Sequence, residues 1–249
     1  MSSVVNHSSL FSHIKSYTYL PAESQDKALL MLHGFNSSKE EVKDYFKTLG
    51  AELEKIGISS FAPDLFHQRD HLLSLKEQYE IVRKSIQFLT QSGFKEISVC
   101  GFSLGSFLAM KAAQEFKFKK IFLLSPVFDL YADLTGFLGL PIQDWINSGV
   151  EKVLYEQPGV GRVFLPREFL LEVKSLKNNF ELAEGRLVLI SGSEDFSADN
   201  HEKISACQAA GVVVTSHIFP ETDHIFNAFS LKNSKLSNVS DFIIQNLNS

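Results

Sequence analysis

The sequence predicts an α/β fold, a mostly parallel sheet flanked by helices, and three observations predict it. Short continuous apolar runs recur along the chain, as in "ALLML", "ISVC", "KKIFLL" and "RLVLIS", and such runs suit strands buried on both faces. The stretches between them place apolar residues at helical spacing behind capping signals. The length of 249 residues suffices for one α/β domain with a substantial core.

In order, "ALLMLHG" at 28–34 reads as a buried strand ending in a turn. Ser38 stands three residues before Glu41, a capping box for a helix that carries Val42, Phe46, Leu49 and Leu53 on one face and stops at Gly57. "ISSFAP" is the next strand. A second capping box, Ser74 to Glu77, opens the helix of "SLKEQYEIVRKSIQFLTQSG", which ends at Gly93. "EISVCGFSLGSFLAMKAAQEF" then gives strand, glycine-flanked serine and helix, and "KKIFLLSP" another strand. From about 127 to 183 the alternation stops, and Tyr131, Phe137, Trp145, Tyr155, Phe164 and Phe169 collect among glycines and prolines. This region is expected to be a lid insertion in a single domain spanning 1–249. The strand "RLVLISGSED", a helix near 199–210, the strand "VVVTSHIFP" and a helix ending near Leu247 complete the pattern.

Composition narrows the function. Hydrophobic residues make up 44% and charged residues 21% of the chain, the balance of an ordinary globular protein. The net charge of −5 and the lack of a Lys/Arg block give no footprint for a polyanion, so nucleic acid is not an expected partner. Cys100 and Cys207 each sit in apolar surroundings and read as reduced core thiols. "MSSVVNHSSLFSHIKSY" has neither a basic start nor an apolar run, and no segment reaches the ~20 apolar residues of a membrane span. A cytoplasmic location is the expectation, with the oligomeric state left open.

The chemistry is expected on four loops. Ser103, between Gly101 and Gly105, follows a strand and precedes a helix, the setting of a nucleophile on a sharp turn. The glycines leave room for that turn, and the helix N-terminus aims its amides at developing negative charge. A serine hydroxyl needs a base, and His224 in "FPETDHIF" lies just after the strand "VVVTSHIFP". The base needs an acid to fix its tautomer. "SGSEDFSAD" offers Glu194, Asp195 and Asp199, of which Asp195 lies immediately beyond the strand's turn. The backbone N–H groups of Leu104 and of Phe35 in "LHGFNSS" are the expected oxyanion donors. His33 then braces the loop.

The motifs "HGF", "GFSLG", "SGSED" and "TDH", in this order, closely resemble the α/β-hydrolase superfamily over nearly the whole chain, and within it the carboxylesterase and dienelactone-hydrolase-like branches. The resemblance implies the α/β-hydrolase fold and a serine esterase acting on small carboxylic esters or thioesters through an acyl-enzyme. "APDLFHQRDH" resembles the loop where dienelactone-hydrolase-like enzymes bind a substrate carboxylate, with Arg69 as counterpart. That branch has cysteine where this chain has Ser103. Feruloyl-type esterases, which the chain also resembles, carry their lids at the position of 127–183, and there Phe137 and Trp145 are expected to bind substrate. Alternatives are a dienelactone-hydrolase-like enzyme and a ligand-binding protein that keeps the fold without turnover. No cofactor is expected. His67 and His71, with Asp64 and Asp70 nearby, have a metal-compatible spacing but no further ligand pattern, and "GVGR" at 159–162 lacks the setting of a dinucleotide site.

Overall fold

The computed structural model describes residues 16–23, 26–66, 72–138, 142–157, 161–176, 185–198 and 201–248. The chain runs β1 (Tyr17–Leu20), β2 (Lys27–Leu32), α1 (Tyr45–Lys55), β3 (Ser59–Pro63), α2 (Leu75–Gln91), β4 (Glu96–Phe102), α3 (Leu104–Ala113) and β5 (Ile121–Leu124). It continues through α4 (Leu130–Leu138), α5 (Ile142–Ser148), β6 (Lys152–Gln157), β7 (Gly161–Pro166), α6 (Arg167–Ser175), β8 (Arg186–Gly192), α7 (His201–Ala209), β9 (Val213–Phe219) and α8 (Leu236–Asn248).

Seven of these strands form one sheet in the order β1-β3-β2-β4-β5-β8-β9. Every pairing is parallel except β1 with β3, so the expected mostly parallel sheet is the one observed. The strands alternate between two cores. Leu30, Val99, Leu123 and Leu189 join the residues of α2, α3 and α6 on one face, while Leu29, Cys100, Phe122 and Val188 join those of α1 and α8 on the other. A side-chain period of two, with both faces covered, is why these strands read as unbroken apolar runs.

Local signals place some boundaries and miss others. Ser74 and Glu77 do form their capping box, and α2 begins at Leu75. Ser38 and Glu41 do not. Ser38 bonds the Glu40 carboxylate, a 3₁₀ turn over Val42–Asp44 precedes α1, and Glu41 reaches back toward the end of β2. The half-buried, antiparallel edge strand β1 lacks the apolar run that marks its neighbours. Between β5 and β8 the chain forms α4, α5, the antiparallel hairpin β6–β7 and α6. Among the described residues no helix is long and apolar enough to cross a membrane, and Cys100 and Cys207 are buried and unpaired.

Candidate active site

The turn between β4 and α3 depends on absent side chains. A Cβ on Gly101 would stand 2.2 Å from the Gly105 carbonyl oxygen, and one on Gly105 would stand 2.0 Å from that of Leu32. With both positions bare, Ser103 adopts φ 49° and ψ −116°, a strained conformation for a non-glycine residue. It leads directly into the first turn of α3. Ser106 fastens the turn from inside: its hydroxyl donates to the Ser103 carbonyl at 2.5 Å and accepts from the Val127 N–H at 2.8 Å.

The loops after β8 and β9 meet this turn. His224 Nε2 lies 3.0 Å from Ser103 Oγ, and Nδ1 lies 2.8 Å from Asp195 Oδ1. The carboxylate selects the tautomer whose Nδ1–H donates to it, which leaves Nε2 to accept from the serine hydroxyl. Gly192 permits the approach, since a Cβ there would stand 2.1 Å from the Thr222 carbonyl oxygen. The Glu194 N–H donates to that same carbonyl. Ser125 holds the histidine from β5, donating its hydroxyl to the His224 carbonyl at 2.6 Å.

Asp195 is buried and fully engaged. The Ser197 hydroxyl donates to Oδ2 at 2.5 Å and its N–H to Oδ1 at 3.1 Å. Burial by itself pushes the carboxyl up, but the bond and charge of His224 and the two Ser197 bonds outweigh it and hold Asp195 below its ordinary value. The acid is therefore ionised at neutral pH, as a partner for an imidazolium must be.

Across the turn, Phe35 and Leu104 flank Ser103. Among the described residues neither N–H donates to a protein acceptor. Glu41 braces the first of them: its carboxylate accepts from the Gly34 N–H at 2.6 Å, the Ser37 hydroxyl at 2.7 Å and the Val42 N–H at 2.9 Å. His33, fully buried, braces the same loop from below. Its Nδ1–H donates to the Gly34 carbonyl and its Nε2 accepts from the Leu65 N–H, each at 2.9 Å.

Ser103 and His224 open onto a cavity of about 630 Å³ walled by Phe35, Val127, Leu134, Tyr155, Phe196 and Phe229. Its polar lining includes Asp133 on α4, whose carboxyl burial pushes up, and Lys43, whose Nζ sits 4.8 Å over the Phe229 ring. Trp145, expected in this wall, packs against the core, and among the described residues between β5 and β8 Tyr155, on the hairpin, is the aromatic that lines the cavity. The side chain of Phe137, together with Arg69, His67, Asp70, His71 and Asp199, lies outside the described residues. Glu194 is exposed, and Asp64 accepts from the Phe66 N–H. Glu41, Ser106, Ser125, Gly192 and Ser197 were not singled out for the site. Only Ser197 carries a local signal, as a serine two residues after an aspartate in a turn.

The family described as "Uncharacterised protein family (UPF0227)" matches residues 28–242, and no curated protein matches the sequence. Among solved structures, Est1E from Butyrivibrio proteoclasticus with ferulic acid bound is similar at TM-score 0.69 and 15% identity, over 94% of this chain and 96% of that one. The alpha/beta hydrolase GrgF from Penicillium sp. sh18 is similar at TM-score 0.64 and 14% identity, over 92% and 98%. The monoacylglycerol lipase of Paleococcus ferrophilus is similar at TM-score 0.64 and 15% identity, over 92% and 96%. These likenesses show a shared fold.

Proposed function

The chain belongs to the uncharacterised protein family UPF0227 and has the α/β-hydrolase fold, and on that premise we propose that it is a serine hydrolase of small carboxylic esters. The observation that carries the proposal is the relay of Ser103 Oγ, His224 and Asp195 at 3.0 and 2.8 Å. Ser103 Oγ attacks the ester carbonyl carbon while its proton passes to His224 Nε2. The oxyanion is held by the Phe35 and Leu104 N–H groups. The intermediate collapses, and the leaving alkoxide takes the proton from Nε2 and departs as the alcohol. Water then attacks the acyl-enzyme, giving its proton to Nε2, and collapse returns that proton to Ser103 Oγ and releases the carboxylic acid. Asp195 stays ionised throughout and stabilises the imidazolium.

The segment between β5 and β8 acts in this reading as a lid that completes the substrate cavity, supplying Leu134 and Asp133 from α4 and Tyr155 from β6. The wall favours an apolar substrate body. Tyr155 is only 9% exposed and lines the cavity, and its hydroxyl would offer a hydrogen bond to a polar group on the substrate. The likeness to Est1E, which holds ferulic acid, supports an apolar acyl group with a polar substituent. Two carboxylates, Glu41 and Asp133, against one cation, Lys43, in the lining disfavour the carboxylate-bearing substrates of the dienelactone-hydrolase-like alternative. The test is kcat/KM for arylalkanoate esters with and without a ring hydroxyl, and for anionic esters. Wild type should prefer the hydroxylated neutral ester by about two- to tenfold, the worth of one neutral hydrogen bond, and Tyr155→Phe should erase that preference. No turnover of any ester, with no labelling by a fluorophosphonate, would instead support a binding protein.

A further inference from the structure

We propose that Phe196 is a positioning residue for His224, holding the imidazole in its reactive plane and favouring the cation that forms on it during turnover. The proposal rests on the serine-hydrolase reading above. The Phe196 ring lies 4.8 Å from the imidazole with 19° between the planes, a stacked pair, and Phe102 meets the same imidazole edge-on at 6.1 Å and 88°. Phe196 is 50% exposed while its chain neighbours Asp195 and Ser197 are buried at 6% and 4%. The bonds that lock Ser197 onto Asp195 therefore also fix where the Phe196 backbone lies.

Two physical consequences follow. The hydrogen bonds to Ser103 and Asp195 hold the two ring nitrogens in the plane of the imidazole. A ring stacked on one face adds to them by opposing rotation of the imidazole about Cβ–Cγ out of that plane. The second consequence is electronic. An aromatic face attracts a cation more strongly than a neutral ring, so the stack strengthens as His224 takes the serine proton. A contact that is stronger in the transition state than in the ground state raises kcat. Among the described residues the charged groups around the imidazole and the Phe196 ring are Asp195, Asp223 beside it in the chain, Glu41, Lys43 and Asp133 around the cavity, and Asp129, Glu202 and Lys203 on the far side of Phe196. A change at position 196 alters none of them.

The experiment compares wild type, Phe196→Leu and Phe196→Tyr on an acetate and a longer acyl ester, with melting temperature measured in each. Phe196→Leu should keep its melting temperature and KM and lose kcat about two- to thirtyfold, by a similar factor on both esters. Phe196→Tyr should restore kcat. A leucine variant equal to wild type overturns the inference, as does a loss that lies in KM alone and grows with acyl length, which would leave Phe196 no role beyond lining the substrate cavity. A wild type whose Ser103 takes no fluorophosphonate overturns the hydrolase reading itself, a result distinct from a labelled wild type that Phe196→Leu matches.

Discussion

Glu41→Gln exchanges one carboxylate oxygen for an amide nitrogen at the brace of the Phe35 loop. The native carboxylate accepts from three donors, the Gly34 N–H, the Ser37 hydroxyl and the Val42 N–H. A glutamine offers one acceptor oxygen, so whichever way its amide turns, its NH₂ faces the N–H of Gly34 or of Val42. The Ser37 hydroxyl can rotate to accept; a backbone N–H cannot. Losing a hydrogen bond to a charged acceptor at a buried site costs about 1.5–3 kcal/mol, which in a chain of this size lowers the melting temperature by roughly 3–12 °C. The same loop presents the Phe35 amide, and an oxyanion donor is worth about 10²–10³ in kcat when wholly removed. A displaced donor should therefore cost kcat roughly ten- to a hundredfold with little change in KM. Differential scanning calorimetry and ester kinetics measure both quantities, with Glu40→Gln as control. Glu40 pairs with Lys39 and Ser38 at the surface, and its loss should stay within about 0.5 kcal/mol. If Glu41→Gln matches that control in melting and in kcat, the bracing role is refuted.

Gly105→Ala should cost at least about 3 kcal/mol in chemical denaturation, because the new methyl meets the Leu32 backbone oxygen and no flexible side chain can give way; an alanine variant of native stability would contradict the packing of the turn. Asp195→Asn should lower kcat by roughly 10⁴ by upsetting the histidine tautomer, whereas a variant within tenfold of wild type would remove Asp195 from the relay. The Asp195 carboxyl is held below its ordinary value in the fold, so its stabilisation is present above the unfolded value of about 3.9 and is lost as pH falls through the lower folded one. The melting gap between wild type and Asp195→Asn should accordingly hold steady from pH 7 to about 5 and close in stronger acid. Cys100 is fully buried and its thiol is pushed up by that burial, so iodoacetamide should modify it only after unfolding, as peptide mass mapping can show.

The parts of the fold that sequence could reach are those governed by local rules. A strand with both faces buried must be apolar throughout, so β2, β4, β5 and β8 stand out, whereas β1 and β9 lie at the sheet edges with exposed or half-buried faces and mixed sequences. The Ser103 turn is legible because steric crowding demands glycine at 101 and 105. Asp195 and His224 follow from it, since they lie in the loops after β8 and β9, the two strands that come next beyond β5 in the sheet. Glu41 was hidden because its partners are set by a loop path: a serine followed three residues later by a glutamate reads as a cap, yet the chain turns through positive φ at Glu41, Lys43 and Asp44 before α1 begins. The cavity wall was hidden for a related reason. Aromatics between β5 and β8 are visible, but whether Trp145 or Tyr155 lines the cavity with Ser103 depends on the tertiary packing of α5 and the hairpin, which no periodicity encodes.

The central claim is that Ser103 is the nucleophile activated by His224, and peptide mass mapping after reaction with a fluorophosphonate tests it most directly. The account expects one phosphonyl group per chain, on Ser103, absent from Ser103→Ala and formed at least 10³-fold more slowly in His224→Ala, on the order expected for a disabled base. An adduct on any other residue, or labelling that survives in Ser103→Ala at the wild-type rate, would contradict it.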